Sequence, residues 1–356
     1  MLAQLARRAG FCPLVIDLFA DQDTLEIAEE VRQVESLTSK DLGLAVDNLT
    51  KLYPVHEVVY GSGFEKNIQS LFFLQEKITL LGNSPEVFAK VQDKYYLFSF
   101  LSENNIPFPE VHFSRPESGK WLIKPLESEG GLGIHYDNGC GIVDNSHYWQ
   151  RYLEGKSMSA IFIADGEKAD IIGFNRQWKV SHANGQAFVF SGIHNYASLS
   201  DINKSIIADW LAKLVSHFGL RGLNSVDFIL HQEQCYFLEV NPRPTASIEL
   251  YGTNLFATHV SSSLGRKAVI NVDQQDHKGY QIIYAANDYR ISNDIIWPEW
   301  SQDRPKSGAI IRKQQPVCSI IANGESSQQV LAKLKKRQSL IENTIKQGNS
   351  YHAIHS

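Results

Sequence analysis

The chain has 356 residues, of which 43% are hydrophobic and 21% charged, which is typical of a folded protein with two or three domains around a shared cleft. Its net charge of −5 comes from interspersed acidic and basic residues, which argues against a nucleic-acid-binding face or a surface for anionic membranes. No membrane-spanning run or signal-peptide pattern is present, so we expect a cytoplasmic protein with small-molecule ligands. The four cysteines lie far apart and are predicted to be reduced thiols without a chemical role.

Residues 13–86 alternate between short apolar segments and stretches with helical character. The segments "PLVIDLF", "HEVVYG" and "ITLLG" are typical of strands, and "LEIAEEVRQVESL" between the first two favours a helix. This alternation predicts a domain with a parallel, doubly wound sheet. The sequence opens with a helix-like segment, "MLAQLARRAG", where such a domain usually opens with a strand. We therefore expect either that a first strand is missing from this chain or that the edge of the sheet is rearranged.

A helix-like segment after Lys94, "YYLFSFLSENN", and the connector "IPFPE" mark the end of this α/β domain, which we place at residues 1–107. The second unit, residues 108–262, is predicted to be α+β. Its helix has an apolar face from Ile207 to Phe218 and stops at Gly219. Its strands are predicted at "KWLIKPL", "GIHYD", "HYWQRYLEG", "SMSAIFIAD", "DIIGFNRQWKV" and "QAFVFSGI".

The last unit, residues 263–356, is predicted to be a small β-rich C-terminal cap. The segments "VINVDQQ", "GYQIIYAAN" and "AIIRKQQPVCSIIANG" are typical of strands, and a charged helix is predicted at 326–346.

Two strand-like segments, "LNSVDFIL" and "QCYFLEV", are followed by "NPRPTASIELYG". Because side chains alternate along a strand, Glu239 and Asn241 are expected on one face and Leu238 on the other. If the two segments pair as a hairpin through "HQEQ", Asp227 joins them and supplies a second carboxylate beside the amide oxygen. This set of oxygen ligands suits Mg²⁺. The structural alternative is that Asp227 is a strand-edge residue and Glu239 pairs with Arg243.

The segment "KWLIKPLESEGGLGI" predicts phosphate binding. It places Lys124 on a strand and Ser128, Gly130, Gly131 and Gly133 in the turn that follows. Glycines let backbone N–H groups form an anion nest, and the lysine adds a compact positive charge. The pattern is neither a P-loop nor a dinucleotide fingerprint. The structural alternative is a glycine-rich hairpin turn.

Taken together and in this order, these segments resemble the ATP-grasp superfamily over roughly residues 13–255. The matching pieces are "VQDKYYLFSFLSENNIPFPE" with Lys94, "WLIKP" with Lys124, "SEGGLG", "QRYLEGKS", "VDFIL" with Asp227, and "FLEVNPRP". The resemblance implies an ATP-grasp fold, in which an N-terminal doubly wound (pre-ATP-grasp) domain precedes two lobes that clamp ATP. The C-terminal piece is similar to the β-rich cap of biotin-carboxylase-like members.

The same resemblance implies roles for individual residues. The two lysines contact the α- and β-phosphates, the glycine loop closes over the γ-phosphate, and the hinge-like segment 150–153 lines the adenine. The residues implied to bind ATP are Lys94, Lys124, Ser128, Gly130, Gly131, Gln150, Tyr152, Leu153 and Glu154.

Metal and catalytic roles follow from the resemblance as well. Asp227, Glu239 and Asn241 would hold one or two Mg²⁺, with Mn²⁺ as an alternative. Lys124 and Arg243 are implied to be catalytic, Arg243 by steadying the transferred phosphoryl group or an acyl-phosphate. Many family members carry an acidic residue that holds the ribose where this chain has Ser157, so we expect Glu154 to make that contact instead.

The implied activity is ATP-dependent ligation of a small-molecule carboxylate to an amine through an acyl-phosphate. Two other classes stay open from sequence alone: a nucleotide-binding protein without ligase activity, and a phosphotransferase acting on a hydroxyl acceptor. Homodimers are common in the superfamily, so a homodimer is expected without an assigned interface.

A narrower resemblance concerns "IDLFADQDT", "VVYGSGFE", and "WPEWSQDRP" with "QPVCSIIANG". These look like a subgroup of ATP-grasp carboligases linked to pterin-dependent one-carbon metabolism, in which one relative joins tyramine to glutamate on the route to methanofuran. "GSGFE" is either a site for an anionic group of the acceptor or a tight strand-to-helix turn. Arg176, Trp178 and Lys179 either face the cleft or belong to an exposed strand face.

Overall fold

The computed structural model describes residues 1–140, 144–182, 186–252, 254–266 and 276–353. Among these residues, no helix is long and apolar enough to cross a membrane.

The N-terminal region alternates helices with short parallel strands, as its sequence predicts. Strand β1 pairs with β2, and β3 pairs with β4, both in parallel. These are two separate pairs rather than one continuous sheet. The elements are α1 (Leu2–Arg8), β1 (Leu14–Asp17), α2 (Gln22–Ile27), β2 (Glu30–Gln33), α3 (Ser39–Leu52), β3 (Glu57–Val59), α4 (Ile68–Gln75), β4 (Thr79–Leu81), α5 (Pro85–Gln92) and α6 (Lys94–Glu103).

The single helix predicted for "LEIAEEVRQVESL" is wrong. Helix α2 ends at Ile27, and residues 30–33 form β2, in which Val31 lies opposite Val15 of β1. The segment has no regular strand alternation, so its pairing with β1 outweighs its helix propensity. The N-terminal helix predicted for "MLAQLARR" is confirmed as α1.

A small antiparallel sheet follows, with its strands in the order β5-β8-β6-β7. Its strands are β5 (Val111–His112), β6 (Trp121–Pro125), β7 (His135–Tyr136) and β8 (His147–Arg151). Gln150 of β8 lies opposite Leu122 of β6, two positions from Lys124, so this sheet sets the positions of both side chains.

The rest of the chain is organised by one eight-stranded sheet. Its elements are β9 (Lys156–Asp165), β10 (Ala169–Val180), β11 (Val189–Asn195), α7 (Asp201–Phe218), β12 (Arg221–His231), β13 (Gln234–Asn241), a 3₁₀ helix (Ala246–Leu250), α8 (Leu255–Ser263), β14 (His277–Tyr284), β15 (Tyr289–Arg290), β16 (Ser301–Gln302), β17 (Ile310–Ile311), β18 (Pro316–Gly324) and α9 (Ser327–Ala353). The strand order is β13-β12-β9-β10-β11-β14-β18-β16.

The predicted C-terminal strands therefore extend the large sheet, because β14 pairs directly with β11. The segment "VINVDQQ" lies outside the described residues. The boundaries proposed at residues 107 and 262 stay predictions.

The largest core lies between α6, α7 and the strands β9, β12 and β13. The apolar face predicted for α7 is confirmed, since Ile207, Leu211 and Leu214 are fully buried. Gly219 ends α7 in the left-handed conformation, with φ of 72°, which glycine adopts without a steric penalty. This packing fixes the sheet that carries the acidic hairpin described below.

Candidate active site

One cavity of about 2040 Å³ lies between the N-terminal region, the small sheet and the large sheet. Its wall brings together many of the side chains singled out from the sequence. These are Lys124, Gly130, Gly131, Gln150, Tyr152, Leu153, Asp227, Glu239, Asn241 and Arg243. Within the described part of the chain, three of the residues implied to bind ATP are not in this wall, namely Lys94, Ser128 and Glu154.

The predicted acidic hairpin is formed by β12 and β13. A tight turn joins the strands at Gln232 and Glu233, whose φ angles are 48° and 62°. Asp227 lies directly opposite Glu239, and the Nδ2 of Asn241 is 3.5 Å from Oδ2 of Asp227. The strand register thus brings both carboxylates and the amide to one place.

The prediction that Leu238 faces away from this site is wrong, because the pairing of β12 and β13 contains a bulge. Asp227 opposes Glu239 and Phe228 opposes Phe237, so Leu238 is the extra residue between them. Leu238 consequently lines the same cavity as Glu239.

The pKa values of the two carboxyl groups in the hairpin are shifted in opposite directions. Burial, and then the charge of Glu239, raises the pKa of Asp227. Burial acts to raise the pKa of Glu239 too, but the nearby Lys124 and Lys94 outweigh it, so the pKa of Glu239 is lowered. Two adjacent carboxylates in a partly desolvated cleft repel each other, and a divalent cation would relieve that repulsion.

The donor set fits Mg²⁺ rather than a soft metal. It consists of two carboxylates and an amide, and Mg²⁺ normally completes its shell with water and phosphate oxygens. Asp227 also accepts a hydrogen bond of 3.0 Å from Gln177 Nε2, which fixes its orientation.

Three lysines lie near the acidic hairpin. Lys124 is 7% exposed, and its Nζ donates to Gln150 Oε1 at 3.1 Å. Burial acts to lower the pKa of Lys124, but Tyr148 and Glu239 outweigh it and the net pKa is raised, so the lysine is charged. Lys94 donates to Gln92 Oε1 at 3.2 Å, and burial lowers its pKa.

The third lysine is Lys179, at the end of β10, which lines the cavity. Burial and then the positive charge of Lys124 lower its pKa. Two interpretations of this lysine were open from the sequence, and its position in the cavity wall supports the one in which it faces the cleft.

The glycine loop, residues 127–134, is docked onto β11. The backbone N–H of Phe190 donates to the carbonyl oxygen of Gly130 at 2.9 Å. Gly130 and Gly131 have φ angles of 60° and 77°, and a Cβ on Gly131 would collide with the carbonyl oxygen of Phe188. Glycine is therefore required at position 131 for the loop to lie in this position.

Arg243 pairs with Glu65, not with Glu239 as the structural alternative held. Its Nε and Nη2 both lie 2.7 Å from Oε1 of Glu65, and both side chains are buried. The other carboxylate oxygen of Glu65 accepts from the N–H of Gly63 at 3.1 Å. The segment "GSGFE" is therefore both the turn after β3 and a support for Arg243.

The segment that carries Arg243 is also held by Asn83, which follows β4. Its Nδ2 donates to the carbonyl oxygen of Pro242 at 2.9 Å and to Asn224 Oδ1 at 2.7 Å. Its Oδ1 accepts from the N–H of Arg221 at 2.8 Å. The N-terminal region thus positions the segment after β13 through two contacts, that of Asn83 with Pro242 and that of Glu65 with Arg243.

Glu129, in the glycine loop, is a further acidic side chain in this wall. Its Oε2 is buried and has no hydrogen-bond partner. Burial, and then the negative charge of Glu65, raises the pKa of Glu129. Sequence reasoning missed the roles of Glu65 and Glu129, because no local pattern links residues so far apart.

The hinge-like segment leaves β8 along the cavity. The N–H of Tyr152 donates to the carbonyl oxygen of Lys120 at 2.9 Å. Glu154 lines a separate, smaller cavity with His231, whereas Ser157 lines the main one. The arrangement does not bring Glu154 to the main cavity, and its ribose contact stays a prediction.

Comparison with known proteins identifies a family for the central part of the chain. Residues 91–247 match the model of the ATP-grasp domain. This range contains both lysines singled out from the sequence, the glycine loop, the hinge and the acidic hairpin.

Two curated relatives are similar in sequence. An uncharacterized protein of Methanocaldococcus jannaschii is 23% identical over 258 residues, which are 68% of this chain and 63% of that protein. The carbamoyl phosphate synthase large chain of Lachnoclostridium phytofermentans is 29% identical over 241 residues, 60% of this chain but 22% of that protein. The chain thus spans less than two thirds of the length of either relative.

Solved structures are similar over nearly the whole chain. A biotin carboxylase complex from Campylobacter jejuni has a TM-score of 0.74 at 13% identity, covering 94% of this chain and 87% of that one. The MgADP-bound biotin carboxylase domain of Hydrogenobacter thermophilus 2-oxoglutarate carboxylase also gives 0.74 at 13%, covering 94% and 86%. An L-amino acid ligase from Bacillus licheniformis gives 0.69 at 14%, covering 95% and 93%. At these identities the similarity establishes the fold alone.

Proposed function

We propose that this chain, which matches the ATP-grasp domain over residues 91–247, is an ATP- and Mg²⁺-dependent ligase that activates a carboxylate as an acyl-phosphate and joins it to an amine. The observation that carries this proposal is the meeting, in one cavity, of the acidic hairpin with Lys124 and Arg243. A carboxylate is a poor electrophile, and these charges suit a phosphoryl transfer that converts it into a good one.

In the proposal, Asp227, Glu239 and Asn241 hold Mg²⁺ together with the phosphates of ATP, and Mn²⁺ is an alternative. The metal would offset the negative charge that builds up as the γ-phosphoryl group leaves ATP. Lys124 and Lys94 would donate to the phosphates in the same partly desolvated site, where such contacts are stronger than in water. The proposed nucleotide site is completed by Gly130, Gly131, Ser128 and the hinge with Gln150, Tyr152 and Leu153.

Arg243 would bind the substrate carboxylate and then the acyl-phosphate. Glu65 already holds the guanidinium through two nitrogens, so the side chain does not have to reorganise when the substrate binds. The glycine loop would keep water away from the acyl-phosphate until the amine attacks its carbonyl carbon, which forms the amide and releases phosphate.

An isotope experiment tests this proposal without knowledge of the amine. The protein is incubated with MgATP, hydroxylamine and pools of carboxylates labelled with oxygen-18, and phosphate and hydroxamates are measured by mass spectrometry. Transfer of one label from carboxylate to phosphate, with a hydroxamate formed, is expected because the acyl-phosphate carries a carboxylate oxygen. ADP binding without turnover for any pool would support a binding protein, and a stable phosphorylated product would support a phosphotransferase.

A narrower form of the proposal assigns the substrates as glutamate and tyramine, or close analogues, in one-carbon cofactor biosynthesis linked to methanofuran and tetrahydromethanopterin. Its support is the resemblance of "IDLFADQDT", "VVYGSGFE" and "WPEWSQDRP" to that subgroup. ADP release that requires both compounds is the expected result. Activity with other pairs but not with this one would remove the narrower form and leave the ligase proposal in place.

The proposal includes a homodimer. The Hydrogenobacter thermophilus biotin carboxylase domain is described as a dimer, and it shares the fold of this chain. Light scattering at micromolar concentration tests this expectation, and a mass equal to one chain would remove it.

A further inference from the structure

Gln150 has an unsatisfied hydrogen-bond donor in the wall of the cavity. The residue is 2% exposed, and its Oε1 accepts from Lys124 Nζ at 3.1 Å. Its Nε2 is buried and has no partner. A buried donor without an acceptor costs about 1–3 kcal/mol, so such a group marks a place where a ligand completes the bonding.

The orientation of the Gln150 amide is fixed by chemistry. A lysine ammonium group can only donate hydrogen bonds, so the amide oxygen must face Lys124 and the NH₂ group must face away. Turning the amide over would bring two donors together. Gln150 therefore presents a donor, and not an acceptor, on the side away from the lysine.

A second glutamine–lysine pair in the chain provides a comparison. Gln92 accepts from Lys94 Nζ at 3.2 Å, and its Nε2 donates to the carbonyl oxygen of Val240 at 3.2 Å. Both the amide oxygen and the amide nitrogen of Gln92 thus have partners within the protein. The open donor of Gln150 is a property of its place in the cavity and not of glutamine–lysine pairs in general.

The position of Gln150 indicates which part of a nucleotide it meets. It lies between Lys124, which we assign to the phosphates, and the hinge segment 151–153, which lines the same cavity. In a purine nucleotide with the usual anti glycosidic angle, the N7 edge of the base lies on the side of the 5′-phosphates. On that edge adenine presents the N7 acceptor and the 6-amino donor, whereas guanine presents two acceptors, N7 and O6.

We propose that Gln150 donates to the N7 edge of the purine, so that the site accepts guanine nucleotides as well as adenine nucleotides. A carboxylate at this position would instead accept from the 6-amino group and select adenine. This inference rests on the proposed nucleotide-binding function and extends it to the choice of base.

Calorimetric binding of MgADP, MgGDP and the magnesium complex of 7-deaza-ADP tests the inference without any acceptor substrate. For the wild type we expect dissociation constants of ADP and GDP within about tenfold of each other. We expect 7-deaza-ADP, which lacks the N7 acceptor, to bind at least about fivefold more weakly, since one net hydrogen bond is lost.

Two variants complete the design. Gln150→Glu should raise the preference for ADP over GDP by at least about tenfold, because the carboxylate accepts from the 6-amino group and repels O6. Gln92→Glu adds the same charge beside the other lysine and should leave the ratio of the two constants unchanged.

The outcomes separate the two levels of inference. If the wild type binds neither ADP nor GDP, the proposed nucleotide function fails as well. If ADP binds and GDP is more than about tenfold weaker, or 7-deaza-ADP binds as tightly as ADP, the role of Gln150 is overturned while the ligase proposal stands. An unchanged ratio in Gln150→Glu overturns it too.

Discussion

The two ends of the cavity are assembled in different ways. At the hairpin end, Asp227, Glu239 and Asn241 come from two neighbouring strands, and the register of one sheet fixes their positions. At the neighbouring arginine end, Glu65 follows β3 and Arg243 follows β13, and an ion pair joins them across 178 positions of sequence. The glycine loop adds Glu129, whose pKa is raised by burial and then by the nearby charge of Glu65, to that end.

The hairpin end is therefore built into one strand pair, whereas the arginine end forms only when three separate segments meet. A change that disturbs the docking of the loop or of the N-terminal region should therefore impair the acceptor reaction more than nucleotide binding. Four changes test that separation.

Glu239→Gln changes a proposed metal ligand at the hairpin end. Loss of one negative charge beside Asp227 should weaken Mg²⁺ binding and lower the rate of ADP production by on the order of 10³-fold. The fold should persist, because the replacement keeps the size of the side chain. Glu249→Gln is the matched control, since Glu249 is a buried carboxylate outside the described cavity wall. Unchanged ADP production in Glu239→Gln would remove the metal assignment.

Gly131→Ala should disturb the docking of the glycine loop onto β11. The new methyl group would collide with the carbonyl of Phe188, whereas a methyl group on Gly130 would meet nothing within 4 Å. Both positions have positive φ, so both variants carry a backbone penalty of about 1–2 kcal/mol. We expect amide formation to fall by on the order of 10²-fold in Gly131→Ala, and clearly less in Gly130→Ala.

The affinity for MgADP, measured by calorimetry, should stay within about threefold of the wild type in both glycine variants, since the hairpin end is intact. Equal losses of amide formation in the two variants would show that the collision with Phe188 is not the cause. A large loss of MgADP affinity would contradict the separation of the two ends.

Glu65→Gln removes the charge that holds Arg243. A glutamine can accept one hydrogen bond from the guanidinium but leaves its charge uncompensated, so Arg243 should be less well positioned. We expect kcat/KM for the carboxylate substrate to fall about tenfold, with MgADP affinity unchanged. If both constants fall together, the ion pair supports the whole fold rather than the acceptor end.

The smallest effect concerns pH and the glycine loop. Burial and then Glu65 raise the pKa of Glu129 above its ordinary value of 4.5 in the docked loop. When the loop opens, Glu129 meets water and its pKa returns toward that value. The docked state therefore binds the proton more tightly, and docking weakens as the pH rises from 4.5 through the raised pKa.

Hydrogen exchange of the loop amides, 130–134, measures this dependence. In the wild type, the loop amides should become more strongly protected at lower pH than the intrinsic chemical rate of exchange alone predicts. Glu129→Gln should abolish this additional protection. The ratio of the two proteins at each pH cancels the intrinsic rate. A constant ratio across the range would exclude Glu129 as the titrating group.

Features of the fold and site that depend on nearby residues were predictable from sequence. The hairpin of β12 and β13 follows from strand periodicity and a short turn, and Lys124 follows from its place before the glycines. The helix predicted over 25–37 failed because pairing with β1 decides the structure of residues 30–33. The orientation of Leu238 failed because a bulge interrupts the regular alternation.

Features that depend on distant contacts were not predictable. The partner of Arg243 could have been Glu239, four residues away, and nothing local favours Glu65 instead. The open donor of Gln150 has the same origin, because it depends on which atoms of other segments surround the side chain. Local patterns identified the residue types of the site, whereas tertiary packing determined their pairings.

The continuity of the large sheet bears on how the protein can be shortened. A gene fragment limited to residues 91–247 would encode the part that matches the family model but would remove β14, β16 and β18. The outer side of β11 would then expose unpaired backbone groups, and such bare strand edges promote aggregation. The part of this chain that matches the family model is thus expected to be insoluble when expressed without the C-terminal strands.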